Sequence, residues 1–151
     1  VVILSLLVVH VARLPRVSVR EELWVLGCAC IGGFVVDTVF LQLGVFHIAG
    51  RVVSPPWLVL LWPNMAAATA PRGSLAALAR RPWVAAAAGA IAAPLSYEAG
   101  ARLGAVTLLR GSSSLVILAV VWAAVLPAIF LVRVRVRKAQ TVHLQRGDQV
   151  G

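Results

Sequence analysis

Long apolar runs dominate this chain and leave it few ways to fold. Five segments, Val1–Leu14, Leu23–Phe46, Pro56–Leu78, Trp83–Val106 and Leu115–Val132, are separated by connections of only a few residues. A helix rising 1.5 Å per residue needs about 20 mostly apolar residues to cross a bilayer. The last four segments meet or approach that length. The first is ended by Pro15 and reads as the end of a spanning helix that begins before this chain does. Pro63, Pro71, Pro94 and Pro127 fall inside segments, where neighbouring helices can satisfy the backbone groups that proline frees. The expected fold is all-α: a polytopic transmembrane helix bundle with five apolar segments, the first truncated, and six in the intact protein. Residues 1–138 form the single helical domain in this reading. Residues 139–151 form a basic, disordered cytoplasmic tail.

Composition removes the alternatives. The chain is 61% hydrophobic and 13% charged, with a mean hydropathy of +0.95. A soluble domain is nearer half apolar and about a quarter charged. An ordinary water-soluble enzyme, a disordered tail and a disulfide scaffold are thereby excluded. The net charge of +9 would suggest a nucleic-acid partner in a polar chain. Here the cations lie between apolar runs. Alternating the connections across a membrane sends eleven of the 14 Lys+Arg to one side, among them Arg13, Arg72, Arg80, Arg81 and the run Arg133–Lys138. Only Arg51, Arg102 and Arg110 fall on the other. By the positive-inside bias the first side is cytoplasmic, and so is the C-terminus. The partner is the lipid bilayer, not nucleic acid, and the 133–138 run adds a contact for anionic lipid. Trp24, Trp57 and Trp83 open segments as interfacial anchors do, whereas Trp62 and Trp122 lie deeper and read as packing residues. No internal repeat is evident.

Little here suggests metal or cofactor chemistry. Cys28 and Cys30 share one apolar run without a further Cys or His pair, so they read as inert thiols. His10, His47 and His143 belong to three separate regions. No phosphate-binding loop, dinucleotide fingerprint, nucleophile elbow or HExxH is present. Ser112–Ser114 precedes a helix and reads as a cap.

Asp37 is the sharpest residue. It lies some 14 residues into its segment, about 21 Å from the cytoplasmic edge. A carboxylate at that depth costs about 2.5–3.5 kcal/mol to insert, so it should face the bundle interior and find a partner. Cys30, Gly33, Asp37 and Gly44 share one stripe, where a neighbouring helix can approach closely. Asn64, Ser96 and Tyr97 reach a similar depth, beside Pro63 and Pro94. Two readings follow. One is a ligand-binding polar pocket in the outer half, built from Asp37, Asn64, Ser96 and Tyr97. The other is a set of interhelical hydrogen bonds that locks the bundle. Ala93, Ser96, Gly100 and Gly104 share a face and predict a close-packing seam. Glu98 and Arg102 are spaced i,i+4 and point away from Ser96. They form an interfacial pair, or Arg102 binds an anionic headgroup.

Gly33-Phe-Val-Val-Asp37, Pro56-Trp57, Leu61-Trp62 and above all Pro94-Leu-Ser-Tyr97-Glu-Ala-Gly100-Ala-Arg-Leu-Gly104 resemble one bacterial family of small multi-pass inner-membrane proteins. That family carries only a domain-of-unknown-function label. The resemblance runs from the first segment to about Arg133. It departs where Gly73-Ser74 stands in place of a His-Ser pair. It implies a bacterial inner-membrane location and a helical fold, and no reaction. Three functional classes follow from the residues. The leading one is a non-catalytic protein that binds or passes a small molecule or lipid, or serves as the membrane subunit of a larger system. The others are an intramembrane lipid-modifying enzyme, with Tyr97 beside Asp37, and a purely structural or assembly protein.

Overall fold

The computed structural model describes the backbone of residues 2–147, and the side chains of these apart from residues 16, 17 and 140–147. The elements are α1 (Val2–Ala12), α2 (Arg16–Gln42), α3 (Pro56–Val59), α4 (Leu61–Ala68), a 3₁₀ turn (Ala76–Arg80), α5 (Pro82–Arg102) and α6 (Ser112–Gly147). Pro15 separates α1 from α2 with its fixed φ of -58°. Pro56 and Pro82 stand at helix starts, where a missing N–H costs nothing. Ser18–Gln42 and Ser112–Ala139 are long and apolar enough to cross a membrane. The backbone of α6 stays helical to Gly147, within the stretch expected to be a disordered tail; residues 148–151 lie outside the described residues.

The third apolar segment is not one helix. Only α3 and α4 are α-helical, joined through Leu60 at φ -66° and ψ -16°. Residues 56–68 rise about 20 Å, well short of the roughly 30 Å hydrocarbon core. The helix stops at Thr69, and Pro71 and Gly73 follow within four residues. Gly73 packs on the Ala68 carbonyl, where a Cβ would overlap backbone, so the chain folds back on the end of α4.

An internal repeat emerges that the sequence conceals. α2 and α5 end in the same cap, sixty residues apart. The N–H of Val45 bonds the Phe40 carbonyl at 2.9 Å, and that of Ala105 bonds Gly100 at 2.9 Å. Between them stand Gly44 at φ +65° and Gly104 at φ +74°, the left-handed glycines of a Schellman motif. Three contacts then join residues sixty apart. His47 and Thr107 form an antiparallel bridge, with N–H···O distances of 2.7 and 2.8 Å. Trp62 stacks on Trp122 at 4.8 Å between ring centroids. Tyr97 hydrogen-bonds Asp37 at 2.8 Å. A residue meets its own equivalent only near a two-fold axis. The fold is thus two helical hairpins, α2 with α3–α4 and α5 with α6, related by a pseudo-two-fold axis. Leu58 and Leu118, and Ser54 and Ser114, are buried equivalents on the two hairpins. The Ser114 hydroxyl accepts the Arg110 N–H at 3.2 Å and donates to the Val45 carbonyl, so it stitches one hairpin's loop to the other's.

The closest helix contact is between α5 and α6. It runs through Ala85, Gly89 and Ala93, all buried. This corrects the predicted seam: Ala93 belongs to it, but Ser96 is exposed and Gly104 lies past the helix end. At Gly89 a Cβ would overlap the Trp122 carbonyl, which is backbone and cannot swing aside. We expect Gly89→Ala to destabilise the fold by about 1–3 kcal/mol, the usual cost of overpacking. The check is a thermal unfolding comparison in detergent, with Ala88→Gly, the neighbouring half-buried position, as the milder control.

Candidate functional site

Asp37 is fully buried, at 0% exposure. The Trp62 indole Nε1–H donates to its Oδ2 at 2.7 Å, and the Tyr97 hydroxyl donates to its Oδ1 at 2.8 Å. These bonds join α2, α4 and α5. Sequence sets up the approach. Gly33 lies one turn before Asp37, and a Cβ there would overlap the Trp62 ring. Only a glycine lets the indole slide far enough along α2 to reach the carboxylate. Tyr97 is steadied by Phe46, whose ring centroid lies 5.2 Å away.

Trp62 and Tyr97 also line a cleft of about 510 Å³ between α4 and α5, with Trp122 and Leu126 of α6 on its wall. Asn64 and Ser96 line it as well. Exposed Leu61, Ala92 and Ser96 are at its edge, so it opens to the surface between the two helices. The four residues predicted to form a pocket therefore separate into layers. Tyr97, Asn64 and Ser96 reach the cleft. Asp37 stands behind Trp62 and Tyr97 and does not line it. Asn64 Nδ2 donates to the Leu60 carbonyl at 3.0 Å and Ser96 Oγ to Ala92 at 2.8 Å, each within its own helix. Neither bonds Asp37.

The pseudo-symmetry shows what is unusual about this cleft. The seam equivalent to α4–α5 is α2–α6. That seam is closed, whereas α4 and α5 barely touch. Sixty residues from Asn64 stands Ala124, and sixty from Ser96 stands Val36. Both equivalents are apolar, Val36 half-buried and Ala124 exposed, where the open seam carries an amide and a hydroxyl.

Residues 1–128 match the family described as Protein of unknown function (DUF2878). The chain belongs to that family. It matches no curated protein and no solved structure.

In this family member a second polar cluster lies at the other end of the bundle, and sequence reasoning missed it. Glu22 and Arg133 are buried, at 3% and 7% exposure. Arg133 grips Glu22 through two bonds, Nη1 to Oε2 at 2.5 Å and Nη2 to Oε1 at 3.1 Å. It also donates to the Ala66 carbonyl at 2.8 Å and to Thr69 Oγ1 at 3.3 Å, at the C-terminal end of α4. His10 of α1 reaches Glu22 at 3.0 Å. Four helices meet here. The available signal was Arg133 itself, the first cation after an apolar run, with Glu22 as the acid adjoining another. Reading residues 15–22 as a loop and Arg133 as a topology anchor hid the pair. Arg102 is exposed and donates to Glu98 at 3.1 Å, the i,i+4 pair foreseen. The two cysteines lie apart from both clusters, Cys28 exposed and Cys30 partly so. No group of three metal-ligating side chains occurs among the described residues.

Two expectations follow. Asp37→Ala strands two donors inside the bundle and should cost about 2–5 kcal/mol, with Asp37→Asn milder because one acceptor remains. Glu22→Gln or Arg133→Met alone should cost about 3–5 kcal/mol by leaving its partner's charge buried, whereas the double change Glu22→Leu with Arg133→Met should recover most of that loss. Thermal melts of the single and double variants decide both.

Proposed function

We propose that this chain is a multi-pass protein of the bacterial inner membrane, with its C-terminal end in the cytoplasm, that binds a small apolar molecule or lipid in the α4–α5 cleft. The observation that carries the reading is the unequal pair of seams. A fold built from two equivalent hairpins packs α2 against α6 and leaves the equivalent α4–α5 seam open, with Asn64 and Ser96 on the open side. A cleft of about 510 Å³ falls in the usual range of small-molecule sites, which are mostly apolar with a few placed polar groups. Its edge residues lie midway along the α3–α4 arm and in the middle and later part of α5, so a ligand would enter sideways from the hydrocarbon.

Membrane insertion is supported by the two long apolar helices and by the apolar outer surface, including Ile31, Ile91, Leu95, Val116 and Val120, each more than 60% exposed. Orientation draws on Arg13, Arg20, Arg72, Arg80, Arg81 and Arg135. All are exposed on the Glu22–Arg133 side of the bundle, Arg20 near the start of α2, Arg135 two residues past Arg133 in α6, and the others at or between helix ends. The intramembrane-enzyme reading has less behind it, because the Tyr97 hydroxyl is committed to a carboxylate that does not reach the cleft.

The test is extraction from native membranes followed by mass spectrometry of the intact complex. A retained small molecule or lipid is expected on the natural chain. Its occupancy should fall about tenfold or more in Ser96→Leu, which projects a side chain into the cleft from its edge, a loss of about 1.4 kcal/mol or more in binding. The melting temperature should not fall, since Ser96 bonds only within its own helix. Equal occupancy in both chains would sink the assignment to this cleft. Release of the protein by alkaline carbonate washing would sink the membrane-spanning reading.

A further inference from the structure

We propose that the α4–α5 cleft takes a neutral lipophilic molecule carrying a carbonyl oxygen, and that the Trp122 indole N–H binds that oxygen. The proposal rests on the reading of the cleft as a ligand site and names the class of ligand it takes.

Trp122 lies across the seam. Its backbone carbonyl packs against Gly89 of α5, and its ring stacks on Trp62 of α4. The indole therefore bridges the two helices that leave the cleft between them, and it is one of the side chains lining the cavity. It is more than nine-tenths buried, at 8% exposure. Its Nε1–H is buried and has no acceptor among the described residues. A buried N–H without a partner costs about 1–3 kcal/mol, and folded proteins seldom leave one.

The pseudo-two-fold axis explains how this donor arises. It carries Trp62 onto Trp122 and Asp37 onto Tyr97. Trp62 gives its N–H to the Asp37 carboxylate. The equivalent acceptor position for Trp122 is held by Tyr97, a phenol whose hydrogen goes to Asp37, and no bond joins the two. One indole is satisfied within the protein. Its counterpart keeps its hydrogen beside a cavity.

The rest of the lining defines what supplies the acceptor. No residue lining the cleft is charged, so a ligand is neutral where the protein encloses it. The Ser96 and Tyr97 hydroxyls already donate, to Ala92 and to Asp37. Asn64 keeps one N–H besides the one given to Leu60. The groups that most need a partner are donors, since an oxygen short of a bond costs less than an orphaned N–H. A ketone or ester carbonyl accepts such a bond and brings neither a charge nor a further donor.

The test uses two probes of similar shape, benzophenone and diphenylmethane, which differ in a carbonyl against a methylene. Each is titrated onto the full chain in nanodiscs of ether-linked phosphocholine, whose chains carry no ester, with partitioning into empty discs subtracted. The ketone should bind at least about tenfold more tightly, a difference of about 1.4 kcal/mol. Irradiation should attach it to residues of the cleft, Met65 among them. In Trp122→Phe, which keeps a ring against Trp62 and removes the N–H, the affinity ratio should fall toward one. If Trp122→Phe does not fold, the natural chain's ratio and the place of photo-attachment decide the matter. Equal affinities with the label in the cleft overturn the carbonyl assignment and leave the cleft as a ligand site. A ketone preference that persists in a folded Trp122→Phe, or a label outside the cleft, also overturns the proposal, as does a retained native molecule without a carbonyl. Binding of neither probe, together with no retained native ligand, removes both the cleft reading and this one. Repeating the titration in ester-linked phosphocholine separates two sources of the carbonyl. Weaker apparent binding there assigns the site to a lipid acyl ester, and unchanged binding assigns it to a free carbonyl compound.

Discussion

A carboxylate cannot sit at the centre of an apolar bundle without donors, and the two that Asp37 finds determine how the centre is arranged. Trp62 must place its Nε1 against one oxygen, and this draws α4 onto α2 at the one turn where Gly33 leaves room. Tyr97 must reach the other oxygen, and this turns its ring toward Phe46 and the middle of α5 toward the axis. Trp62 in turn stacks on Trp122, which holds α6. The sequence thus supplies one costly group and three large rings that satisfy or enclose it. The small residues Gly33, Gly89 and Ala93 then let the backbones come close enough for those rings to meet.

The duplication explains why this happens at one place. Residues sixty apart touch only near the pseudo-axis, and all three such contacts are polar or aromatic. Asp37 and Tyr97 are equivalent positions with different chemistry, so an acceptor on one hairpin meets a donor on the other. A strictly symmetric pair, two carboxylates or two phenols, would repel or leave a proton unplaced. The same asymmetry opens one seam. α6 runs unbroken and packs on α2, whereas its counterpart ends at Thr69 after residues 56–68 and leaves a cleft beside α5. A cleft at the interface of the two hairpins follows from that difference in length.

Much of this was legible beforehand, for physical reasons. The depth of Asp37 required an inward orientation and partners, and both are present. Trp62 and Trp122 were too deep to be interfacial and are buried, at 5% and 8% exposure. Trp24, Trp57 and Trp83, which open their segments, are exposed. What failed were inferences that treated apolar length as helix length. Hydropathy over Pro56–Leu78 looks continuous, but Thr69–Ser74 bends back on itself, and average apolarity does not register a turn. The seam on α5 was placed one face off because Gly100 and Gly104 outscore Ala85 and Ala93 in a search for small residues. Packing rewards whatever residue faces the neighbour, and Gly104 ends the helix instead. The repeat was invisible because its identities, Leu43-Gly44 with Leu103-Gly104, Leu58 with Leu118 and Trp62 with Trp122, are too sparse to stand out from membrane composition.

The two buried acids show how one chemical problem divides into two roles. Glu22 is met by a guanidinium, a histidine and the end of α4. Its charge is cancelled within a few ångströms, so its effect stays local and its task is to fasten four helices. Burial of such a pair is seldom a net gain in stability, but it fixes which helices meet. Asp37 is held by hydrogen bonds from neutral groups. Those bonds satisfy its oxygens and join α2, α4 and α5. The wall between Asp37 and the cleft is one side chain thick. Asp37 stands where Trp62 and Tyr97 separate it from the seam that the pseudo-symmetry leaves open.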